Sequence, residues 1–139
     1  SAFQKHVIAA KEAGVPLVIT GRSVDVNSAG GADVELNYRN ISGKTIKYIR
    51  FTVKLYNGVG DAVRGSYSRS STSILKETGP FKTDTSGGGT WSAILYDYST
   101  KCVRITKVRI TYMDDKVKNY TGSGLAKLFG PRTGNSCKV

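Results

Sequence analysis

The sequence predicts an all-β fold, an immunoglobulin-like antiparallel β-sandwich of about seven strands with a short N-terminal helix. Three observations predict it. From Leu17 to Tyr112 apolar and polar residues alternate with period two. The connections are short and hold no crossover helix of the dozen or more residues that parallel pairing needs. The chain has 139 residues, 39% hydrophobic and 22% charged, which is one globular domain's worth. A small closed barrel is the competing architecture.

Residues 2–13 read as a helix. Phe3 and Val7 are i,i+4 neighbours, Ala9, Ala10 and Ala13 are strong formers, and Gly14 and Pro16 stop it. Leu17, Ile19, Val24 and Val26 then alternate, with a parity switch near Gly21 that calls for a bulge. Gly30-Gly31 turns the chain into Val34, Leu36 and Tyr38, and residues 40–44 turn it again. The strongest strand follows: Ile49, Phe51, Val53 and Leu55 face one way, Tyr48, Arg50, Thr52, Lys54 and Tyr56 the other. Asn57-Gly58 and Gly60-Asp61 close it. After a Ser-rich connection at 64–73, a short strand runs from Ile74-Leu75 to Gly79-Pro80-Phe81. Residues 82–90 read as a Gly/Thr/Ser loop, and Trp91, Ala93 and Leu95 as the inward side of a strand with Tyr96 outward. Val103 and Ile105 share one parity and Val108, Ile110 and Tyr112 the other, reconciled by a bulge near Thr106-Lys107. The domain plan is therefore a helix or linker stub at 1–14, a sandwich at 15–120, and a Gly-rich tail at 121–139 holding Leu125, Leu128 and Phe129.

Lys and Arg number 21 against 10 Asp and Glu, a net charge of +11. Such a domain attracts anions: nucleic acid, anionic lipid headgroups or acidic glycans. The basic residues are spread through the strands and form no disordered arm. Cys102 and Cys137 are an even pair, and their disulfide would tie the tail to the body. Closing that loop stabilises by roughly 3–4 kcal/mol in the loop-entropy picture and implies an oxidising compartment. The alternative is two free cytosolic thiols. No signal peptide is visible, as in a mature exported chain, and no apolar run reaches the roughly 18 residues of a membrane-spanning helix.

The stretch from Asn40-Ile41-Ser42-Gly43-Lys44 through Val53-Lys54-Leu55-Tyr56-Asn57 to Ala62-Val63 resembles the FxLYD family of bacterial exported domains. Val53 stands at the family's phenylalanine and Asn57 at its aspartate. The resemblance implies an immunoglobulin-like sandwich in a secreted or periplasmic bacterial protein, without catalytic activity and with no catalytic residues to carry over.

Motifs for enzyme chemistry are weak. Gly43-Lys44-Thr45 has Tyr38 where a phosphate loop needs glycine, and a strand follows where a helix should. His6, the one histidine, reads as solvated, and Asp114-Asp115 as an acidic turn without a spaced set of calcium ligands. Trp91 reads as core. No catalytic, metal or cofactor residues are expected.

The expected functional surface is one sheet face. In this fold class the long third strand, the Trp91 strand and the last strand should share a sheet. Tyr48, Arg50, Lys54, Tyr56, Tyr96, Arg104, Lys107 and Arg109 would then form a basic, tyrosine-studded face, with Asp25, Asp33 and Glu35 on the opposite sheet. Arg holds oxyanions bidentately and Tyr stacks on sugars or bases. The reading is a non-catalytic secreted or periplasmic module engaging an anionic envelope glycan, a lipid headgroup or a protein partner. The alternatives are a cytosolic nucleic-acid-binding domain and a structural accessory module of a larger assembly.

Overall fold

The computed structural model describes residues 1–65, 69–131 and 137. The connection at 64–73 and the tail at 121–139 lie partly outside the described residues. The elements are α1 (Ala2–Glu12), β1 (Leu17–Val26), β2 (Ala32–Asn40), β3 (Ile46–Asn57), β4 (Thr72–Phe81), β5 (Ser86–Trp91), β6 (Thr100–Tyr112), β7 (Val117–Tyr120) and α2 (Gly122–Ala126).

The strands form two antiparallel sheets, β1-β2-β5 and β4-β3-β6-β7. This is the immunoglobulin-like sandwich expected, with the fourth strand paired to the third. Period-two alternation puts Leu36 and Tyr38 of β2, Ile49, Phe51, Val53 and Leu55 of β3, and Val103, Val108 and Ile110 of β6 between the sheets, all buried. Tyr38 stacks at a tilt on Phe51, with ring centroids 5.6 Å apart, so both sheets meet at one aromatic contact. Both expected bulges are present. Register shifts between Ile19 and Gly21, and Thr106 is skipped where Thr52 faces Lys107 and Val53 faces Ile105.

Helix α1 forms as the alanine run predicts and adds a capping box: the Ser1 side chain accepts from the Gln4 N–H, and Gln4 answers to the Ser1 backbone. It packs through Val7 and Ala10, and Lys11 pairs with Asp84 at 2.7 Å. His6 is half-buried, and its Nε2 is buried without a hydrogen-bond partner among the described residues, which corrects the expectation of a solvated ring. The 40–44 turn is held by buried Asn40. Its Nδ2 donates to the Lys44 and Phe81 carbonyls, and its Oδ1 accepts from the Ser42 N–H and hydroxyl. That is full use of a buried amide.

Three expectations are corrected. The supposed loop at 82–90 contains β5, paired to β2 from Val34–Trp91 to Arg39–Ser86. Its glycines gave no period-two signal because contact requires them bare: a Cβ on Gly87 would stand 2.8 Å from the Tyr38 ring. The Trp91 strand therefore ends at Trp91, and residues 92–95 turn. Trp91 itself is partly buried against the core. Second, this strand lies in the sheet opposite β3 and β6, not beside them. Third, β7 follows β6 as the outer strand. Its four residues are too short and too exposed to declare themselves.

The described part of the tail packs on the sandwich. Leu125 and Leu128 are buried. The Ile19 N–H donates to the Leu128 carbonyl at 2.7 Å and the Gly130 N–H to the Ile19 carbonyl at 2.9 Å. These bonds cover the free edge of β1, a common protection against intermolecular pairing. Cys102 of β6 and Cys137 are disulfide-bonded, with Cα atoms 5.2 Å apart. No helix of the described residues is long and apolar enough to cross a membrane.

Candidate functional site

The outward face of the four-stranded sheet follows directly from register. Residues directly opposite in an antiparallel pair share a face. One row runs Lys76–Arg50–Arg109–Asn119, the next Ile74–Thr52–Lys107, and the next Thr72–Lys54–Arg104. Tyr48 stands opposite Thr78 and Thr111, and Tyr56 opposite Cys102. Six cations thus share one surface: Arg50, Lys54, Lys76, Arg104, Lys107 and Arg109. None forms an ion pair among the described residues. The three pairs present, Lys11–Asp84, Lys44–Asp114 and Lys47–Asp115, lie elsewhere. Glu77 of β4 is opposite buried Ile49 and so points inward.

Seven of the eight expected face residues are brought together: Tyr48, Arg50, Lys54, Tyr56, Arg104, Lys107 and Arg109. Lys107, which the sequence placed only near a bulge, is set outward because Thr106 takes up the extra residue. The Thr106 hydroxyl donates to the Thr52 carbonyl at 3.3 Å. Tyr96 is not on this face. It bridges to Gly31 beside the three-stranded sheet, because its strand belongs there, and it is 54% exposed.

Lys76 was missed. It sits on β4, a strand the sequence did not assign to this sheet. Its Nζ lies 4.1 Å from the centre of the Tyr48 ring, a cation–π contact on one side of that ring. The signal was available in the alternation Ile74, Lys76, Thr78, once β4 is set next to β3.

The opposite sheet carries Asp25 opposite Asp33, and Glu35 opposite Ser23, on its outer side. Asp33 Oδ1 accepts from the Ala93 N–H at 2.7 Å. Cations are concentrated on the outer side of the four-stranded sheet, while the outer side of the other sheet carries Asp25, Asp33 and Glu35 together with Arg39. The Asp114-Asp115 turn is neutralised by Lys44 and Lys47. No cluster of metal-ligating side chains occurs among the described residues.

No protein-family model and no curated protein sequence matches the chain, so the resemblance of residues 40–63 to the FxLYD family has no such support. Two solved structures are similar in fold. A hypothetical protein from Peptoclostridium difficile 630 has a TM-score of 0.49 and 10% identity, covering 80% of this chain and 88% of its own. A DUF1425 family member from Shewanella sp. pv-4 has a TM-score of 0.44 and 11% identity, covering 68% and 75%.

Proposed function

We propose that the chain is a non-catalytic binding module of an exported bacterial protein, and that the outward face of the β4-β3-β6-β7 sheet holds an anionic envelope polymer, foremost an acidic glycan. One observation carries the reading. Six cations from three adjacent strands share one surface and have no carboxylate partner among the described residues. Like charges set opposite each other across strands cost stability. An extended anion would relieve that repulsion in the Lys76–Arg50–Arg109 and Lys54–Arg104 rows. Tyr48 and Tyr56 supply flat rings suited to stacking on sugars. The disulfide supports a secreted or periplasmic setting, since such bonds persist where thiols are not kept reduced.

The test is binding of a fluorescent polyuronate to the oxidised protein and to the Arg50→Glu/Lys107→Glu variant at fixed salt. Loss of binding in the variant supports the reading. Equal binding by the two proteins overturns it. Preference for single-stranded nucleic acid over polyuronate at the same ionic strength would move the function to nucleic-acid binding.

A further inference from the structure

A second basic feature lies off the sheet face. On the open side of the sandwich, where β1 passes β6, a cavity of about 280 Å³ is lined by Arg22, Arg104, Thr106, Leu125, Phe129 and Cys137 among others. Arg22 stands opposite Leu36 and shares the parity of buried Val24, so it enters from the inner side of its sheet. Its guanidinium carbon lies 4.2 Å from the centre of the Phe129 ring. Its Nε is buried and has no hydrogen-bond partner among the described residues. Among the described residues no Asp or Glu lines the cavity. Burial first, and the like charge of Arg104 second, pull Arg22 below its ordinary value. The guanidinium nevertheless stays protonated, as arginine does in proteins.

This arrangement is costly as it stands. A partly buried guanidinium with an idle donor sits beside a second guanidinium, with no counter-charge among the described lining residues. The Phe129 ring takes one flat side of Arg22, which leaves the in-plane N–H groups to donate edge-on. An edge-on guanidinium matches the two oxygens of a carboxylate or phosphate. The volume falls just below the range of sites for drug-sized ligands, so it suits one oxyanion and not a stretch of polymer.

We propose that this cavity is a discrete site for a single oxyanion, a carboxylate or phosphate group, gripped by Arg22 and Arg104 with the Phe129 ring bordering the ligand. The site is separate from the sheet face. Arg104 alone belongs to both, and the cavity would fill whether or not the sheet face binds a polymer.

The experiment follows the arginine Nε–Hε resonances of the oxidised full chain by NMR. Sodium phosphate or sodium glucuronate is added against sodium chloride at constant ionic strength. The Arg22 resonance should shift saturably with phosphate, glucuronate or both, and not with chloride. Which of the two saturates identifies the source as a free phosphate or an acidic sugar. Arg104→Gln, at an exposed position that leaves the fold intact, should weaken the saturation by about tenfold, the order expected for one charged hydrogen bond. Arg22→Lys keeps the charge and loses the fork. It should weaken binding similarly, read at Arg104. Arg50→Glu/Lys107→Glu should leave it unchanged, which separates failure of this site from failure of the face. Shifts that chloride reproduces, or undiminished binding by Arg104→Gln, would overturn the proposal.

Discussion

Arg50 of β3 stands directly opposite Arg109 of β6 on the outward face of the four-stranded sheet. The neighbours in their row are Lys76 and Asn119, so nothing beside them offsets the repulsion. The account therefore predicts a trade between stability and binding. Arg109→Gln should raise unfolding free energy by about 0.2–1 kcal/mol, the range for cross-strand pair effects. The same variant should bind polyuronate more weakly. Urea unfolding and a parallel binding titration check both halves.

Leu128 tests whether the tail belongs to the core. It is fully buried, and its carbonyl accepts from Ile19 on the edge of β1. Leu128→Ala should cost about 2–5 kcal/mol, as for a core leucine. A cost under 1 kcal/mol by urea denaturation would mean that the tail merely lies on the surface.

The Cys102–Cys137 bond closes a loop across 35 positions. Replacing both cysteines with serine should cost about 3–4 kcal/mol on the loop-entropy estimate. Thiol labelling of the native protein should give no modification before reduction and two after.

Stability should depend on pH with two opposite signs. The hydrogen bond from Lys11 holds the Asp84 carboxyl below its ordinary value, and the one from Lys44 does the same for Asp114. The unfolded chain then binds these protons more tightly than the native one. Their contribution is whole above the ordinary aspartate value of about 3.9 and is lost as pH falls through the depressed values. Asp84→Asn should flatten that acid limb in thermal melts.

Glu77 has the other sign. Its Oε1 is buried, and that burial pushes the carboxyl up against the opposing pull of the neighbouring Tyr38 hydroxyl. The folded state favours the protonated form, so stability falls as pH rises from about 4.3, the ordinary glutamate value, through the raised one. Glu77→Gln should remove that fall and be at least as stable as the parent at neutral pH. A variant clearly less stable at pH 7 would show that the Tyr38 hydroxyl offsets the cost of burying the charged carboxylate.

The fold was legible where side chains alternate. β3 declares itself because Ile49, Phe51, Val53 and Leu55 are separated by polar residues, and β1 and β6 reveal even their bulges through parity switches. The face inherited that clarity: seven of its residues lie on β3 and β6. Legibility ended where glycine replaced side chains. Gly87, Gly88 and Gly89 carry no hydrophobic pattern, yet they make β5, since only bare backbone fits against Tyr38, Asn37 and Glu77. Missing that strand moved Trp91 and Tyr96 into the wrong sheet and hid Lys76. The cavity was invisible for another reason. Arg22 and Phe129 are far apart in sequence, and only docking of the tail on β1 puts the ring beneath the guanidinium.

The central claim is that the β4-β3-β6-β7 face carries the binding. The most direct measurement is a backbone amide NMR titration of the oxidised protein with a short polyuronate. The account predicts shifts concentrated at Arg50, Thr52, Lys54, Lys76, Arg104, Lys107 and Arg109, with the outer side of β1-β2-β5 silent. Shifts clustered on Asp25, Asp33 and Glu35, or no saturable shifts at the six cations, would contradict it.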